Sequence, residues 1–258
     1  MKKFAVIVAV LSALILYAAA EARTIVLLPL DKSPVADECG NTWTAEGSCV
    51  ISDVNPKTST VSPRPALQLD GESYLQLDGG IILGGKDFTI DGWAYVDSTS
   101  GAWSRIFDFN VSERGESNRI LLTKGSATIN LYVNSSSKTV DGYMDELFHF
   151  ACVYDHAKGS VSLYLNGELK DSVDVKLQPR KYSLVYIGKS SHNDPLFIGY
   201  VYGFRVTDGE ALWKDSFTPP EQYSFVPPNV PAGNGMQFMC PCCKYFLEHY
   251  GGQLPASK

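Results

Sequence analysis

Histidine is scarce in this chain: four residues, His149, His156, His192 and His249, in 258, and no two share a metal-ligand spacing such as His-x-x-x-His. That lack argues against a histidine-based metal hydrolase. No Gly-x-Ser-x-Gly elbow is present, nor a glycine loop of the kind that cradles phosphate, so serine hydrolase and nucleotide-binding readings have no motif to rest on. Basic runs are missing too. With 22 Lys and Arg against 28 Asp and Glu the formal charge is −6, which disfavours nucleic acid and anionic membranes as partners. No run keeps a helical period, and beyond the first two dozen residues none is long and apolar enough to cross a bilayer.

What is present begins with a leader. Lys2 and Lys3 precede an apolar stretch from Phe4 to Tyr17, and Ala20-Glu21-Ala22 supplies the small residues a signal peptidase needs. We therefore expect 1–22 to be a signal peptide, cleaved after Ala22, and the protein to be secreted or held at a cell surface without membrane insertion. An uncleaved anchor is the competing reading, and the apolar run is short for it. Strand signals follow at once. Short β-branched and aromatic runs recur between Gly, Asn, Asp and Ser clusters, at Thr24–Leu30, Ala66–Leu69, Ser73–Leu77, Phe88–Val96, Arg105–Asn110, Arg119–Thr123, Thr128–Val133, Leu147–Tyr154, Ser160–Leu165, Glu168–Val175, Ser183–Ile187 and Gly199–Val206. Only Asp208–Trp213 reads as a turn of helix. Such a series predicts an all-β, antiparallel two-sheet sandwich. Asn166-Gly167 is its strongest hairpin signal, because a type I′ turn needs positive φ at both central residues. Asp91-Gly92, inside an alternating strand, reads as a bulge.

Alternation divides the strand residues into two faces. Phe88, Ile90, Gly92, Ala94 and Val96 share one face, and Asp91, Trp93 and Tyr95 the other. Ile129, Leu131 and Val133 oppose Asn130 and Tyr132, and Leu163 and Leu165 oppose Tyr164. With the aliphatic face inward, the core is Ile90, Ala94, Leu131, Val153, Leu163, Leu165 and Ile187. The outward set, Trp93, Tyr95, Tyr132, Tyr164, Asp91 and Asn130, has the makings of a sugar site, with rings for apolar CH patches and polar groups for hydroxyls. The other reading of these rings is a second small core covered by loops.

Six cysteines in an exported chain invite disulfides. Cys39 and Cys49 bracket a short loop, and a bridge between them would add roughly 2–3 kcal/mol. Cys152 reads as a buried core thiol. Past Pro220 the chain turns Pro- and Gly-rich, so 23–222 reads as the domain and 223–258 as a linker with a cysteine-containing tail. There Cys240, Cys242 and Cys243, with His249, either form disulfides or offer ligands to zinc. Asn110-Val111-Ser112 and Asn134-Ser135-Ser136 fit the glycosylation pattern.

The order of segments resembles the LamG-like (laminin G, concanavalin A-like lectin/glucanase) jelly-roll domains of bacterial and phage-encoded exported proteins. The residues that carry the likeness are Ile25 to Asp31, Asp37-Glu38-Cys39-Gly40-Asn41-Thr42-Trp43, Ala66 to Gly71, Asp87 to Trp93, Phe148 to Asp155, and Trp213 with Phe217-Thr218-Pro219-Pro220. Where family members often carry paired acids, this chain has Tyr202-Gly203. That loss weakens the case for a structural calcium, although Asp31, Asp37 and Asp70 remain as oxygen donors beside turn and capping roles. The retaining glucanases of the fold show Glu-x-Asp-x-x-Glu, and no such run occurs here. The resemblance therefore implies an exported, non-catalytic recognition module without a cofactor, binding carbohydrate or a cell-surface protein. Self-association as a structural protein is the alternative, and a glycoside hydrolase the third.

Overall fold

The computed structural model describes residues 22–55, 60–115 and 117–221. Apart from Ala22, the expected leader lies outside the described residues, as do the linker and the tail with Cys240, Cys242, Cys243 and His249. The strands are β1 (Arg23–Leu28), β2 (Trp43–Glu46), β3 (Val50–Asn55), β4 (Thr60–Asp70), β5 (Tyr74–Leu77), β6 (Ile81–Leu83), β7 (Phe88–Val96), β8 (Arg105–Asn110) and β9 (Arg119–Lys124). They continue as β10 (Thr128–Val133), β11 (Ser136–Asp141), β12 (Leu147–Asp155), β13 (Ser160–Leu165), β14 (Glu168–Asp174), β15 (Arg180–Tyr182), β16 (Leu184–Ile187) and β17 (Ile198–Asp208).

Two antiparallel sheets make the sandwich. Sheet I has eight strands, in the order β14-β13-β12-β7-β17-β4-β3, with β1 also paired to β17; sheet II has seven, in the order β11-β10-β9-β8-β16-β5-β2. A ribbon of β6 and β15 closes one margin. The register explains the core. Pairing sets Cys152 opposite Ile90 and Phe148 opposite Ala94, so apolar residues of neighbouring strands share one face and meet their counterparts on sheet II. Phe107 sits at the centre, with ring centroids 5.3 Å from Phe109, 5.8 Å from Phe150 and 5.8 Å from Phe204.

Ile90, Ala94, Leu131, Leu163, Leu165 and Ile187 are fully buried in this core, as alternation requires. Val153 is a correction: it is buried, but with Ala151, Tyr164 and Ala211 on the outer face of sheet I. In β12 the inward set is Phe148, Phe150, Cys152 and Tyr154, and in so uniformly apolar a strand only the cross-strand register decides. Asp208–Trp213 forms no helix: it is the end of β17 followed by bends. The bulge expected at Asp91-Gly92 falls instead on β17, between Val201 and Phe204. Gly92 is needed because a side chain there would meet the Phe150 ring at 2.6 Å. Asn166-Gly167 turns as expected, with φ of 51° and 79°. The unforeseen strands β2, β3, β6, β11 and β15 are short or polar and give too few residues for a period to register.

Candidate functional site

The six outward residues divide between the two sheets. Asp91, Trp93, Tyr95 and Tyr164 lie on the outer face of sheet I, where the segment after β17, residues 209–220, crosses as a strap. Asp91 is wholly buried and accepts a two-pronged bond from Arg205 of β17, Nε to Oδ1 at 2.9 Å and Nη2 to Oδ2 at 3.0 Å. The His149 Nε2 atom lies 3.5 Å from the same carboxylate. The Trp213 and Phe217 rings stack 3.9 Å apart at 7° above it, and each meets the His149 ring edge-on. The Trp93 indole donates to the Pro220 carbonyl at 3.0 Å, while Tyr164 packs 5.5 Å from Phe217. Tyr95 is buried against Tyr200, Tyr202 and Ala66. The Phe217-Thr218-Pro219-Pro220 motif thus covers Trp93 and Tyr164, and the rings fall in two small outer clusters, Tyr95 with Trp93, Tyr200 and Tyr202 and Tyr164 with Val153, Ala211 and Phe217, rather than on one open platform.

Asn130 and Tyr132 lie on the outer face of sheet II, which carries a different arrangement. Tyr132 is half-buried, with the Trp103 ring 5.7 Å away and the Arg119 guanidinium 5.1 Å from its centroid. Trp103 is 48% exposed and holds a left-handed backbone conformation at φ 72°. Its amide donates to the Lys124 carbonyl at 2.7 Å, and its own carbonyl accepts from Arg105.

Arg105 organises the floor. Its guanidinium lies 5.9 Å from the Trp103 ring centroid and donates to Thr123 Oγ1 at 2.9 Å and to Asp194 Oδ2 at 2.8 Å. Asp108 follows at i+3, with Oδ2 3.8 Å from Arg105 Nε and accepting from the amide and hydroxyl of Ser191. Burial pushes the Asp108 carboxyl above its ordinary range, against the pull of the Ser191 bonds and Arg105. Burial likewise lowers Arg105, opposed by its two aspartates. Arg105 Nε and Asp108 Oδ1 are buried without a hydrogen-bond partner, so the network is held open rather than closed. Asn130 Oδ1 accepts from Thr128 at 3.1 Å on the same face. The polar alternation within Arg105-Ile106-Phe107-Asp108-Phe109-Asn110 was a readable signal for Asp108. Ser191 and Asp194, from the loop between β16 and β17, were not predictable from local pattern.

The remaining sequence expectations resolve into structural roles. Cys39 and Cys49 are not bridged. Cys39 Sγ is buried 3.5 Å from the Thr24 carbonyl, while Cys49 Sγ lies 3.4 Å from the Tyr74 carbonyl, so the two thiols are turned toward different strands. The loop is tied by Asp37 instead. Its Oδ1 accepts from the amides of Leu27 and Cys39, and its Oδ2 from the Asn41 amide and the Trp43 indole. Asp70 caps a turn through Glu72 and Ser73, and Asp31 is exposed. Among the described residues no group of three acidic, histidine or cysteine side chains converges on a point. Cys152 is a buried core thiol, its pKa pushed far up by burial. Asn110 is fully buried and donates to Gly115 and Ser191, which withdraws it as a glycan acceptor. Among the described residues no helix is long and apolar enough to cross a membrane.

Comparison with known proteins matches residues 69–215 to a laminin-G-type family model described as the Concanavalin A-like lectin/glucanases superfamily. No curated protein matches the chain in sequence. Among solved structures, domain 4 of AbnA, an extracellular GH43 arabinanase from Geobacillus stearothermophilus seen in complex with arabinotriose, is similar. It gives a TM-score of 0.54 at 18% identity, over 73% of this chain and 94% of that one. The receptor binding domain of botulinum neurotoxin type G gives 0.53 at 13% identity, covering 76% of this chain but 49% of the toxin chain. The C/D mosaic serotype gives 0.52 at 16%, covering 74% and 49%. The chain thus spans about half the length of those toxin fragments, and at such identities the likeness is one of fold. The family match extends over more than half of the residues, from the end of β4 to the strap, and the chain belongs to the Concanavalin A-like lectin/glucanases superfamily.

Proposed function

We propose that the protein is an exported, non-catalytic carbohydrate-recognition module whose ligand lies on the Trp103–Tyr132 platform of sheet II. The carrying observation is Trp103, a half-exposed indole held in a left-handed conformation that costs a non-glycine residue about 1–3 kcal/mol. Such strain persists only where the surroundings enforce it, and Arg105 and Lys124 do so. An accessible indole and phenol stack on the CH face of a sugar, and Arg119 beside them supplies donors to its hydroxyls. The arabinotriose held by a domain of the same fold supports this ligand class. Catalysis has less support, because Asp108 and Asp194 are both engaged by Arg105 and Asp108 is fully buried.

A glycan array with the wild-type protein, Trp103→Ala and Tyr132→Ala is the test. A bound glycan should lose more than about tenfold in affinity in each variant, some 1.4 kcal/mol, with the circular dichroism unchanged. Equal binding by Trp103→Ala would sink the platform. Recognition of a cell-surface protein, or self-association, is the second reading. It is favoured by Val50 on the edge strand β3 and Leu169 on the edge strand β14, each 50% exposed, since bare edges template pairing. Sedimentation of the protein and of Val50→Lys would show it.

A further inference from the structure

The charges beside the Trp103–Tyr132 platform do not balance. Arg105, Arg119 and Lys124 stand there against two acids, Asp108 and Asp194, so this corner of a chain of formal charge −6 is cationic. Both acids belong to Arg105, through Nε at 3.8 Å from Asp108 Oδ2 and Nη2 at 2.8 Å from Asp194 Oδ2. Burial also holds the Asp108 carboxyl toward its neutral form. Lys124 is buried, and among the described residues its ammonium meets no acid but donates to the carbonyls of Gly125 and Ser126, at 3.1 and 3.2 Å.

Arg119 is the cation that a ligand reaches. It is half-buried at the start of β9, where its Nε donates to the Asn134 carbonyl at 3.1 Å and its guanidinium lies 5.1 Å from the Tyr132 centroid. Among the described residues no carboxylate pairs with it, and its terminal nitrogens, Nη1 and Nη2, take no partner yet are not closed off from solvent. Burial lowers the Arg105 pKa, and the neighbouring charge of Arg119 lowers it further. Two like charges flanking one aromatic pair are relieved by an anion, whereas a metal ion or an amino sugar would add to the repulsion. The fork of a guanidinium matches a planar carboxylate with two parallel N–H bonds. Because Arg119 already lies against Tyr132, a sugar resting its CH face on the Trp103 and Tyr132 rings brings an acid group at its rim to those nitrogens. We propose that the platform takes an acidic sugar, a uronic or sialic residue whose carboxylate is bound by Arg119. This rests on the reading of the platform as a sugar site and narrows its ligand class.

The test is a titration of the ¹⁵N-labelled protein, reading the Trp103 indole signal, which Trp103→Ala identifies by its loss. The ligands are the methyl glycosides of glucuronic, galacturonic and N-acetylneuraminic acid, each beside its uncharged methyl ester. At low salt at least one acid should bind at least about fivefold more tightly than its ester, and which acid does so tells a uronic from a sialic ligand. In Arg119→Gln that ratio should fall below about twofold. Arg119→Lys keeps the charge without the fork; it should cut the ratio by at least about half, and it keeps the test available should Arg119→Gln fail to fold. An ester bound as tightly as its acid overturns the acidic preference and leaves the sugar platform standing. A ratio unchanged in Arg119→Gln overturns the role of Arg119. Silence toward all the acids overturns the proposal, and the platform then stands or falls with neutral glycans on the array.

Discussion

The outer faces of the two sheets are built from the same ingredients, aromatic rings with arginine and aspartate beneath them, and finish them differently. On sheet I, Arg205 meets Asp91 with both prongs, and the strap lays Trp213 and Phe217 over the pair. On sheet II, Arg105 is divided between Asp108, Asp194 and the backbone, one nitrogen and one carboxylate oxygen stay unanswered, and Trp103 stands in solvent. Buried polar atoms without a hydrogen-bond partner occur under both, the two ring nitrogens of His149 and the Tyr200 hydroxyl on sheet I as well as Arg105 Nε and Asp108 Oδ1 on sheet II. What separates the faces is the cover, which lies over Asp91 and His149 and leaves Trp103 half-exposed. An aromatic residue next to an acid in a strand is therefore no sign of a binding surface until the cover over it is known.

The comparison can be broken most sharply at Arg205. Arg205→Met strands a wholly buried carboxylate, and we expect a loss of roughly 3–5 kcal/mol in urea unfolding, with any glycan affinity of the folded fraction unchanged. A loss below about 1 kcal/mol would show that the covered face does not depend on the pair. The next effect is at the strap. Phe217→Ala removes a half-buried ring packed on Trp213, His149 and Tyr164, and should cost roughly 2–3 kcal/mol, below the full core value. It should also make the Trp93 fluorescence environment more polar; intact stability would mean that the strap is an ornament.

The smallest effect is a pH slope on the open face. Burial holds the Asp108 carboxyl above its ordinary range, so the native state binds that proton more tightly than the unfolded chain. Stability from this group therefore rises as pH falls from the raised native value toward about 3.8, and is lost as pH rises through the same window. Wild type minus Asp108→Asn, compared from about pH 7 down to about pH 4, should show that slope. Arg105, Asp194 and His192 surround the group and remain in both proteins, so parallel curves would rule it out.

How much of this was legible follows from the range of each signal. The hairpin at Asn166-Gly167 and the inward faces of β7, β10 and β13 are local patterns, and the structure keeps them. The outward residues were identified as outward, but sequence alone does not say that residues 209–220 return across Trp93 and Tyr164. The same limit hid Asp194, which is 89 residues from Arg105 in sequence and 2.8 Å from it in space. Trp103 was missed because it stands in a turn, outside any alternation. The disulfide expectation failed because proximity in sequence says nothing of direction: a strand, β2, lies between Cys39 and Cys49 and turns the thiols apart.

The place of β17 in sheet I has a consequence for how the molecule comes into being. This last strand runs between β7 on one side and β4 and β1 on the other, so its partners stand up to about 180 residues earlier in the chain. Until residues 198–208 have been synthesised, the sheet consists of two halves with no seam, and every contact that joins them is long-range and slow to form. The unfinished polypeptide thus cannot join the two halves of this sheet until its last strand arrives.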